Sequence, residues 1–280
     1  MVNYDDPRLT TPSGSGTAMQ VTAGVAAIRA EPEPDAEMTT QALHGEVLTV
    51  FEEQGEFGHV QLSRDGYVGW ALMEALSAPV LTPTHRATAL RTYVYSAPDL
   101  KSAPRYMVTL GAQVVAEQET GDWIGCARAG WVHKRHLAPL GAWDTDPAAI
   151  ALMYEGTPYL WGGRESLGLD CTGLTVAAFG ACGVVLPRDS DMQFAWTGTA
   201  IPDWQTKGTL ARSDLVFWKG HVAIMLDGEH MIHANAHHMA VASEPLSSAV
   251  TRIADHYGQP IGARRVMLAQ EKNRRPEWLL

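Results

Sequence analysis

Hydrophobic and polar residues alternate along the first part of the chain with the period of β-strands. Between residues 20 and 76, short apolar runs such as VLTVF and HVQL alternate with polar positions, and glycine-containing turns separate them. This pattern is typical of half-buried strands in a small β-barrel. We therefore predict a first barrel over residues 17–80, preceded by a flexible arm rich in Pro, Gly, Ser and Thr over residues 1–16.

The same pattern returns further along the chain. In both stretches, a glycine that precedes a tryptophan, Gly69 or Gly130, stands seven residues before a closing leucine, Leu76 or Leu137. A repeat of this kind indicates two copies of one supersecondary unit. It predicts a second barrel over residues 81–140, with a Pro-containing linker between the two copies.

After the second barrel the spacing of apolar residues becomes helical. Asp146 and Pro147 are suited to begin a helix as its N-cap and its first-turn residue. A second helix is predicted from Cys171 to Cys182, and it ends where Gly183 can adopt the left-handed conformation.

Three strand-like runs follow these helices, at residues 214–218, 221–226 and 231–235. Helices followed by strands predict an α+β domain, which we place at residues 141–268. The remaining residues, 269–280, are polar and are predicted to form an exposed tail.

Composition and charge exclude several classes of protein. The 280 residues carry 21 Lys and Arg against 31 Asp and Glu, a net charge of −10, without a basic run that would bind nucleic acid or an anionic membrane. The first twenty residues lack the basic and apolar regions of a secretory signal. Three cysteines cannot all pair. These features lead us to expect a cytoplasmic protein.

Cys171 is the candidate nucleophile among the three cysteines. It follows Asp170 at the predicted start of a helix, where the helix dipole and unsatisfied backbone N–H groups favour the thiolate over the thiol. An average cysteine is more often a small buried hydrophobic residue, which fits Cys126 in a predicted strand and Cys182 in an apolar run. The polar Asp-Cys-Thr-Gly setting favours a nucleophile instead.

His221 and His233 are the candidate partners of this thiol. If residues 221–226 and 231–235 form a hairpin that turns at Asp227-Gly228, the two histidines lie opposite each other, since they are equidistant from residue 227. One imidazole would then take the thiol proton while the other orients and polarises it, as in a catalytic triad.

The same region could in principle bind a metal. Five histidines fall between residues 221 and 238, a density that would suit zinc. No HExxH or paired CxxC motif accompanies them, so we predict no metal site and no cofactor. The remaining members of the group, His230, His237 and His238, are predicted to lie in solvated turns.

With these residues in view, residues 141–268 resemble the NlpC/P60 family of papain-like cysteine peptidases, and the two upstream barrels resemble bacterial SH3 domains. Together they resemble γ-D-glutamyl-L-diamino-acid endopeptidases of the YkfC type. The implied fold is two small SH3-like β-barrels followed by an α+β papain-like domain. The resemblance rests on five motifs: Trp161-Gly162-Gly163, Asp170-Cys171-Thr172-Gly173-Leu174, Leu186-Pro187-Arg188-Asp189-Ser190, Gly220-His221-Val222-Ala223 and Ile232-His233-Ala234.

The resemblance implies a role for individual side chains. Cys171 would be the nucleophile, His221 the general base and His233 its orienting partner. Tyr159 would lie near the thiolate and help to stabilise the oxyanion. Substrate contacts are implied for Asp170, Asp189, Ser190 and Trp161, and in the first barrel for Tyr67 and Glu37, which would face the free amine of an L-Ala-γ-D-Glu dipeptide.

The implied activity is hydrolysis of γ-D-glutamyl–diamino acid bonds in free murein peptides with an unblocked N-terminal L-Ala, such as L-Ala-γ-D-Glu-diaminopimelate. Such an enzyme would serve peptidoglycan recycling and would need no nucleic acid, membrane or obligate protein partner. Three alternatives stay open. They are an exported hydrolase acting on intact peptidoglycan, a non-catalytic module that binds wall peptides, and an acyltransferase or amidase built on the same fold.

Overall fold

The computed structural model describes residues 4–279, which fall into two units. The β unit comprises residues 5–142 and the short segment 162–166. The mixed unit comprises Tyr4 and residues 143–161 and 167–279. Within the described residues, no helix is both long and apolar enough to cross a membrane.

The first half of the β unit is an antiparallel sheet in the order β3-β2-β6-β5-β4-β1-β7. Its core forms because alternate residues of these strands point inward, and Ile28, Leu48 and Val60 are fully buried. The strands are β1 Thr17–Val21, β2 Val25–Arg29, β3 Met38–Leu43, β4 Val47–Gln54, β5 Phe57–Leu62, β6 Val68–Leu72 and β7 Leu76–Ser77.

The second half of the β unit repeats this arrangement. Its strands follow the orders β10-β9-β14-β13-β12 and β11-β8-β15. These strands follow the order of the first sheet if β11 and β12 together correspond to β4. In that comparison β10, β9, β14 and β13 correspond to β3, β2, β6 and β5, and β8 and β15 correspond to β1 and β7. The strands are β8 His85–Ala87, β9 Arg91–Tyr95, β10 Pro104–Thr109, β11 Gln113–Val114, β12 Ala116–Thr120, β13 Trp123–Cys126, β14 Gly130–His133 and β15 Leu137–Pro139.

Part of the segment predicted to be a flexible arm is ordered instead. Pro7–Leu9 form a 3₁₀ helix, and the Asp6 side chain caps it by accepting a hydrogen bond from the Arg8 N–H at 2.9 Å. Leu9 packs against the core of the first sheet, and its carbonyl accepts a 3.0 Å bond from Nε2 of Gln61. The segment was predicted to be flexible because it is rich in Pro, Gly, Ser and Thr, and that composition gave no indication of this capped helix. Two more 3₁₀ helices, Met73–Ala75 and Lys134–His136, follow β6 and β14.

Residues 162–166, which include β16 (Arg164–Glu165), join the β unit through a buried ion pair. The Arg164 guanidinium donates to both carboxylate oxygens of Glu46, at 2.9 and 3.1 Å, and both side chains are buried. Burial opposes ionisation of Glu46, but the guanidiniums of Arg164 and Arg64 hold its pKa below the ordinary value.

The mixed unit combines helices with a second antiparallel sheet in the order β18-β23-β19-β20-β21-β22. Helix α2 packs against α1 and against the hairpin of β20 and β21. The strands are β17 Gly168–Leu169, β18 Thr199–Ala200, β19 Leu215–Trp218, β20 His221–Met225, β21 His230–Asn235, β22 Ala240–Pro245 and β23 Gly262–Arg265. The helices are α1 Pro147–Met153, α2 Cys171–Ala181, α3 Ser190–Trp196, α4 Leu246–Tyr257 and α5 Leu268–Glu271.

Both predicted helix starts are confirmed. Asp146 precedes α1 and accepts a hydrogen bond from the Ala149 N–H at 3.2 Å, while Pro147 occupies the first position. Asp170 precedes α2 and accepts from the Gly173 N–H at 2.7 Å. These caps could be predicted because they depend only on neighbours in the sequence.

The C-terminal residues are not the simple exposed tail that the sequence suggested. The boundary proposed at residue 268 falls inside α5, and Glu277–Leu279 form a 3₁₀ helix. Nε1 of Trp143 donates a 2.7 Å bond to Oδ1 of Asn273, and the ring of Trp278 stacks on that of Trp196. These contacts connect the C-terminal segment to other parts of the mixed unit. They could not be predicted from the polar composition of the segment.

Candidate active site

The N-terminus of α2 is fixed by a buried network around Asp170. Oδ1 of Asp170 accepts the Gly173 N–H and the Thr172 hydroxyl at 2.7 and 3.0 Å. The Arg188 guanidinium donates to both carboxylate oxygens, at 2.6 and 3.0 Å. Both charged side chains are buried. Both oxygens of Asp170 are thus engaged inside the protein, which fits a positioning role, and its predicted substrate contact stays a prediction.

Cys171 is the first residue of α2, and its sulfur lies against β20. The backbone N–H groups of Thr172 and of Val222, the residue that follows His221, lie near the sulfur and act to lower the pKa of Cys171. Burial, followed by the nearby Asp170 carboxylate, raises the pKa of Cys171 to about 12. The backbone donors at the helix start thus favour the thiolate, as expected from the sequence, and burial opposes it.

The two predicted histidines are brought into direct contact. Nε2 of His221 and Nδ1 of His233 are 2.7 Å apart. The predicted register is wrong, however, since Ile224 pairs with Ile232 and the hairpin is centred on residue 228. His221 and His233 are thus diagonal neighbours across the hairpin, which still leaves the long imidazole side chains within reach of each other.

Glu244 extends this pair and was missed by the sequence analysis. Its Oε1 lies 2.8 Å from Nε2 of His233, and Arg252 on α4 forms an ion pair with the same carboxylate. Glu244 lies on β22 opposite Met231, two positions from His233 along β21. The sequence shows Glu244 only as a carboxylate in the strand after His233. Its contact with His233 becomes apparent only when β21 is paired with β22.

The hydrogen bonds fix which ring nitrogens carry protons. Burial works against ionisation of Glu244, but His233 and Arg252 hold its pKa below the ordinary value, so the carboxylate accepts the bond from Nε2 of His233. Nδ1 of His233 then accepts the proton on Nε2 of His221. This leaves Nδ1 of His221 with a lone pair, as a general base requires.

The same surroundings keep the base neutral. Burial, the adjacent His233 and the charge of Arg252 lower the pKa of His221 to about 3. Since burial also raises the pKa of Cys171, it acts against charge on both the thiol and the imidazole. Such a pair attacks only when the proton moves from sulfur to nitrogen.

Tyr159 is held on the segment that leads to α2, and its predicted role beside the thiolate stays a prediction. Its N–H donates to the Met239 carbonyl at 2.9 Å, and it forms a parallel bridge with Leu169, two residues before Cys171. Burial and the nearby Cys171 and Asp170 raise the pKa of Tyr159. Its hydroxyl therefore remains protonated and can donate a hydrogen bond.

The other predicted substrate contacts are distributed over both units. In the mixed unit, Asp189 and Ser190 are half-buried where α3 begins, and Trp161 is 59% exposed. In the β unit, Tyr67 is 6% exposed within the core of the first sheet, and Glu37 is exposed. Tyr67 is thus more buried than a surface aromatic residue, and the proposed substrate contacts of these five residues stay predictions.

Two protein-family models match parts of this chain. Residues 156–257 match the model of the NlpC/P60 family, and residues 28–76 match that of the bacterial dipeptidyl-peptidase SH3 domain. The chain carries an SH3 domain followed by an NlpC/P60 domain. Proteins of the NlpC/P60 family are peptidases, generally with a cysteine nucleophile, and they act in cell-wall peptide hydrolysis.

Several relatives share both parts of the chain. A dipeptidyl-peptidase 6 of Lysinibacillus sphaericus is 26% identical over 247 residues, covering 77% of this chain and 86% of that protein. A γ-D-glutamyl-L-lysine dipeptidyl-peptidase of Bacillus cereus is 25% identical over 243 residues, covering 75% and 71%. An NlpC/P60 family protein of known structure from Bacillus cereus has the same fold, with a TM-score of 0.75 and 21% identity over 89% of this chain and 99% of that one.

Proposed function

We propose that this protein is a cysteine endopeptidase that hydrolyses the γ-D-glutamyl–diamino acid bond of murein peptides. The observation that carries the proposal is the series Cys171, His221, His233 and Glu244, in which the thiol lies beside the strand that holds the base. The names of two relatives, which refer to γ-D-glutamyl-L-lysine bonds, support the choice of bond.

The proposed reaction begins with a proton transfer. Nδ1 of His221 takes the Cys171 proton as the sulfur attacks the γ-glutamyl carbonyl carbon, and the resulting imidazolium is stabilised through His233 by the Glu244 carboxylate. The negative charge that develops on the carbonyl oxygen would be stabilised by backbone N–H groups at the start of α2 and by the Tyr159 hydroxyl.

Breakdown of this intermediate releases the diamino acid side. His221 gives its proton to the leaving amine, the carbon–nitrogen bond breaks, and an acyl thioester remains on Cys171. Water then gives a proton to His221 and attacks the thioester carbonyl. The product carboxylic acid leaves, and the proton returns to the sulfur, so the enzyme ends in its starting state.

The finer features are part of the same proposal. The substrate is a free peptide with an unblocked N-terminal L-Ala, held in part by Asp189, Ser190 and Trp161, and the enzyme acts in recycling in the cytoplasm. The second half of the β unit is a second SH3-like barrel, a reading supported by the identical strand order. The mixed unit is papain-like, which the helix-borne cysteine and sheet-borne histidines support.

Hydrolysis of a defined peptide tests the proposal. Incubation with L-Ala-γ-D-Glu-meso-diaminopimelate, or its L-Lys counterpart, is expected to release L-Ala-γ-D-Glu, detected by liquid chromatography and mass spectrometry. Cys171→Ala should abolish release, whereas Cys182→Ala, which removes a buried cysteine from the other end of α2, should retain it. Absence of dipeptide from both peptides, or release by Cys171→Ala, would contradict the proposal.

A further inference from the structure

Three metal-binding side chains meet at the outer end of the His221–His233 pair. A ring nitrogen of His233, a ring nitrogen of His238 and a carboxylate oxygen of Glu244 all lie within 4.8 Å of one another. His233 is buried, Glu244 is half-buried and His238 is exposed, so the group reaches from the interior to solvent. An ion could therefore enter from solvent at His238 and bind His233 directly.

His238 is already held in a conformation suited to binding. Its backbone N–H and its Nδ1 lie 2.9 and 3.0 Å from Oδ1 of Asn235. An amide oxygen can only accept, so Nδ1 of His238 carries the proton and Nε2 keeps its lone pair. A hydrogen bond to the second ring nitrogen is the usual way in which proteins orient a metal-binding histidine.

The donor set selects the kind of ion. Two imidazole nitrogens and one carboxylate oxygen are typical ligands of Zn²⁺ and related transition metals, whereas Mg²⁺ and Ca²⁺ prefer oxygen ligands alone. Zinc bonds of about 2.0–2.1 Å in a tetrahedron place ligand atoms about 3.3 Å apart. The three atoms therefore need to move by about 1 Å or a little more, which the exposed His238 can provide. Arg252 contacts the same oxygen of Glu244, Oε1, as His233 does, so it would shift to the second carboxylate oxygen when the ion binds.

We propose that His233, His238 and Glu244 form a site for a zinc-class divalent ion, and that occupancy of this site switches off the peptidase. The site differs from the catalytic pair itself, because the ion binds the face of His233 that is turned away from His221. The inhibitory part rests on the proposed function, whereas the binding part does not.

Inhibition follows from the positions of the ring protons. Without metal, Nε2 of His233 donates to Glu244 and Nδ1 accepts from His221. An ion on Nε2 moves the His233 proton to Nδ1, which then donates to Nε2 of His221. The His221 proton moves in turn to its Nδ1, the nitrogen that acts as the base in the proposed mechanism. The base then has no lone pair for the Cys171 proton, and no proton is gained or lost overall.

Zinc binding is tested first, by isothermal titration calorimetry of ZnCl₂ into the full-length Cys171→Ala protein, in which the thiol cannot bind the ion. One ion per chain is expected, with affinity weakened at least tenfold by His238→Gln. His237→Gln is the matched control, since His237 is exposed and adjacent but outside the group, and it should leave the affinity unchanged. Equal affinity in the His238→Gln and parent proteins would overturn the site.

Inhibition is tested separately with the Cys171-containing protein. His238→Gln should keep the activity of the parent without metal and need at least tenfold more ZnCl₂ for half-inhibition, while His237→Gln should behave as the parent. Equal inhibition of His238→Gln and parent would place the inhibitory ion on Cys171 and overturn the switch. If the parent lacks activity before metal is added, the proposed function fails, and the calorimetry still decides whether the site exists.

Discussion

The two ends of helix α2 each carry a cysteine but are stabilised in opposite ways. At the N-terminus, the buried Asp170 carboxylate and its Arg188 partner fix the first turn. At the C-terminus the backbone alone closes the helix, through bonds of 3.0 Å from the Gly183 N–H to the Gly180 carbonyl and from the Val184 N–H to the Phe179 carbonyl. This is the Schellman arrangement, and Gly183 supplies its left-handed residue with φ of +83°.

The difference explains why only one of the two cysteines is suited to catalysis. A helix start leaves backbone N–H groups free to face a sulfur or an oxyanion, and the first residue, Cys171, is 9% exposed beside β20. A helix end presents carbonyl oxygens, which repel a thiolate, and Cys182 there is 0% exposed. Catalysis therefore depends on the network at the N-terminus of α2. The backbone bonds at its C-terminus should affect only the stability of the fold.

Breaking the N-terminal network should have the largest effect. Asp170→Asn leaves the buried Arg188 charge without its carboxylate, which typically costs about 3–5 kcal/mol of unfolding free energy. Displacement of Cys171 by about 1 Å should lower kcat/KM about 100-fold or more. Urea denaturation and peptide hydrolysis measure the two effects.

A cap outside the site provides the control for this change. Asp146→Asn keeps a good N-cap for α1 and removes only the charge that pairs with the exposed Arg212, so a loss of at most about 1 kcal/mol is expected, without change in kcat/KM of the folded protein. Equal losses of activity in the Asp170 and Asp146 variants would contradict the distinction drawn between the two caps.

Removing the charge behind His233 should have the next largest effect. Glu244→Gln can present an amide N–H to Nε2 of His233 and so favours the ring tautomer that leaves His221 without its lone pair. We expect kcat to fall about 10- to 100-fold while KM stays nearly constant, because Glu244 acts through the base. Steady-state kinetics on the tripeptide measures kcat and KM separately. A change confined to KM would indicate a substrate contact instead.

Changes at the C-terminal end of α2 should affect stability alone. In Gly183→Ala the new methyl group would lie 3.0 Å from the Trp143 ring, at a backbone angle that disfavours side chains. A loss of about 1–2 kcal/mol is expected. Gly180→Ala is the matched control, since that position is helical, exposed and open, and it should gain about 0.5–1 kcal/mol. Thermal unfolding compares the two, and the same sign in both would refute this interpretation.

The smallest predicted effect is a dependence of stability on pH. The pKa of His221 is lowered to about 3 in the folded protein, so below about pH 6.5 the unfolded chain binds the extra proton. The contribution of His221 to stability is therefore nearly full above about pH 7.5 and declines as the pH falls, by about 1.4 kcal/mol at pH 5.5. The loss should be smaller in His221→Gln, and an equal loss in both proteins would show that other groups are responsible.

Features that depend on near neighbours in sequence could be predicted, whereas those set by folding could not. The caps at Asp146 and Asp170 follow from local rules and are confirmed. The nucleophile's ionisation could not be predicted, since burial of Cys171 depends on β20, which lies about fifty residues away in the sequence. The predicted hairpin centre was off by one residue and the cross-strand pairing therefore by two, because the turn is centred on residue 228.

Glu244 illustrates the same limit at longer range. No motif marks it in the sequence, and its partner His233 is found only once β22 is paired with β21. Tyr67 was singled out by its distinctive turn sequence; its ring lies within the core of the first sheet, and its substrate contact stays a prediction. Residue type and spacing thus indicated the reacting groups, and the groups that tune them required the fold.

The account depends most directly on a covalent bond between the substrate and one sulfur. Rapid acid quench of the reaction with L-Ala-γ-D-Glu-meso-diaminopimelate, followed by intact-protein and peptide mass spectrometry, would detect the acyl-enzyme. We predict an L-Ala-γ-D-glutamyl thioester on the peptide that contains Cys171, absent from Cys171→Ala and present in Cys182→Ala. Turnover with the adduct on Cys182, or undiminished turnover by Cys171→Ala, would contradict the mechanism.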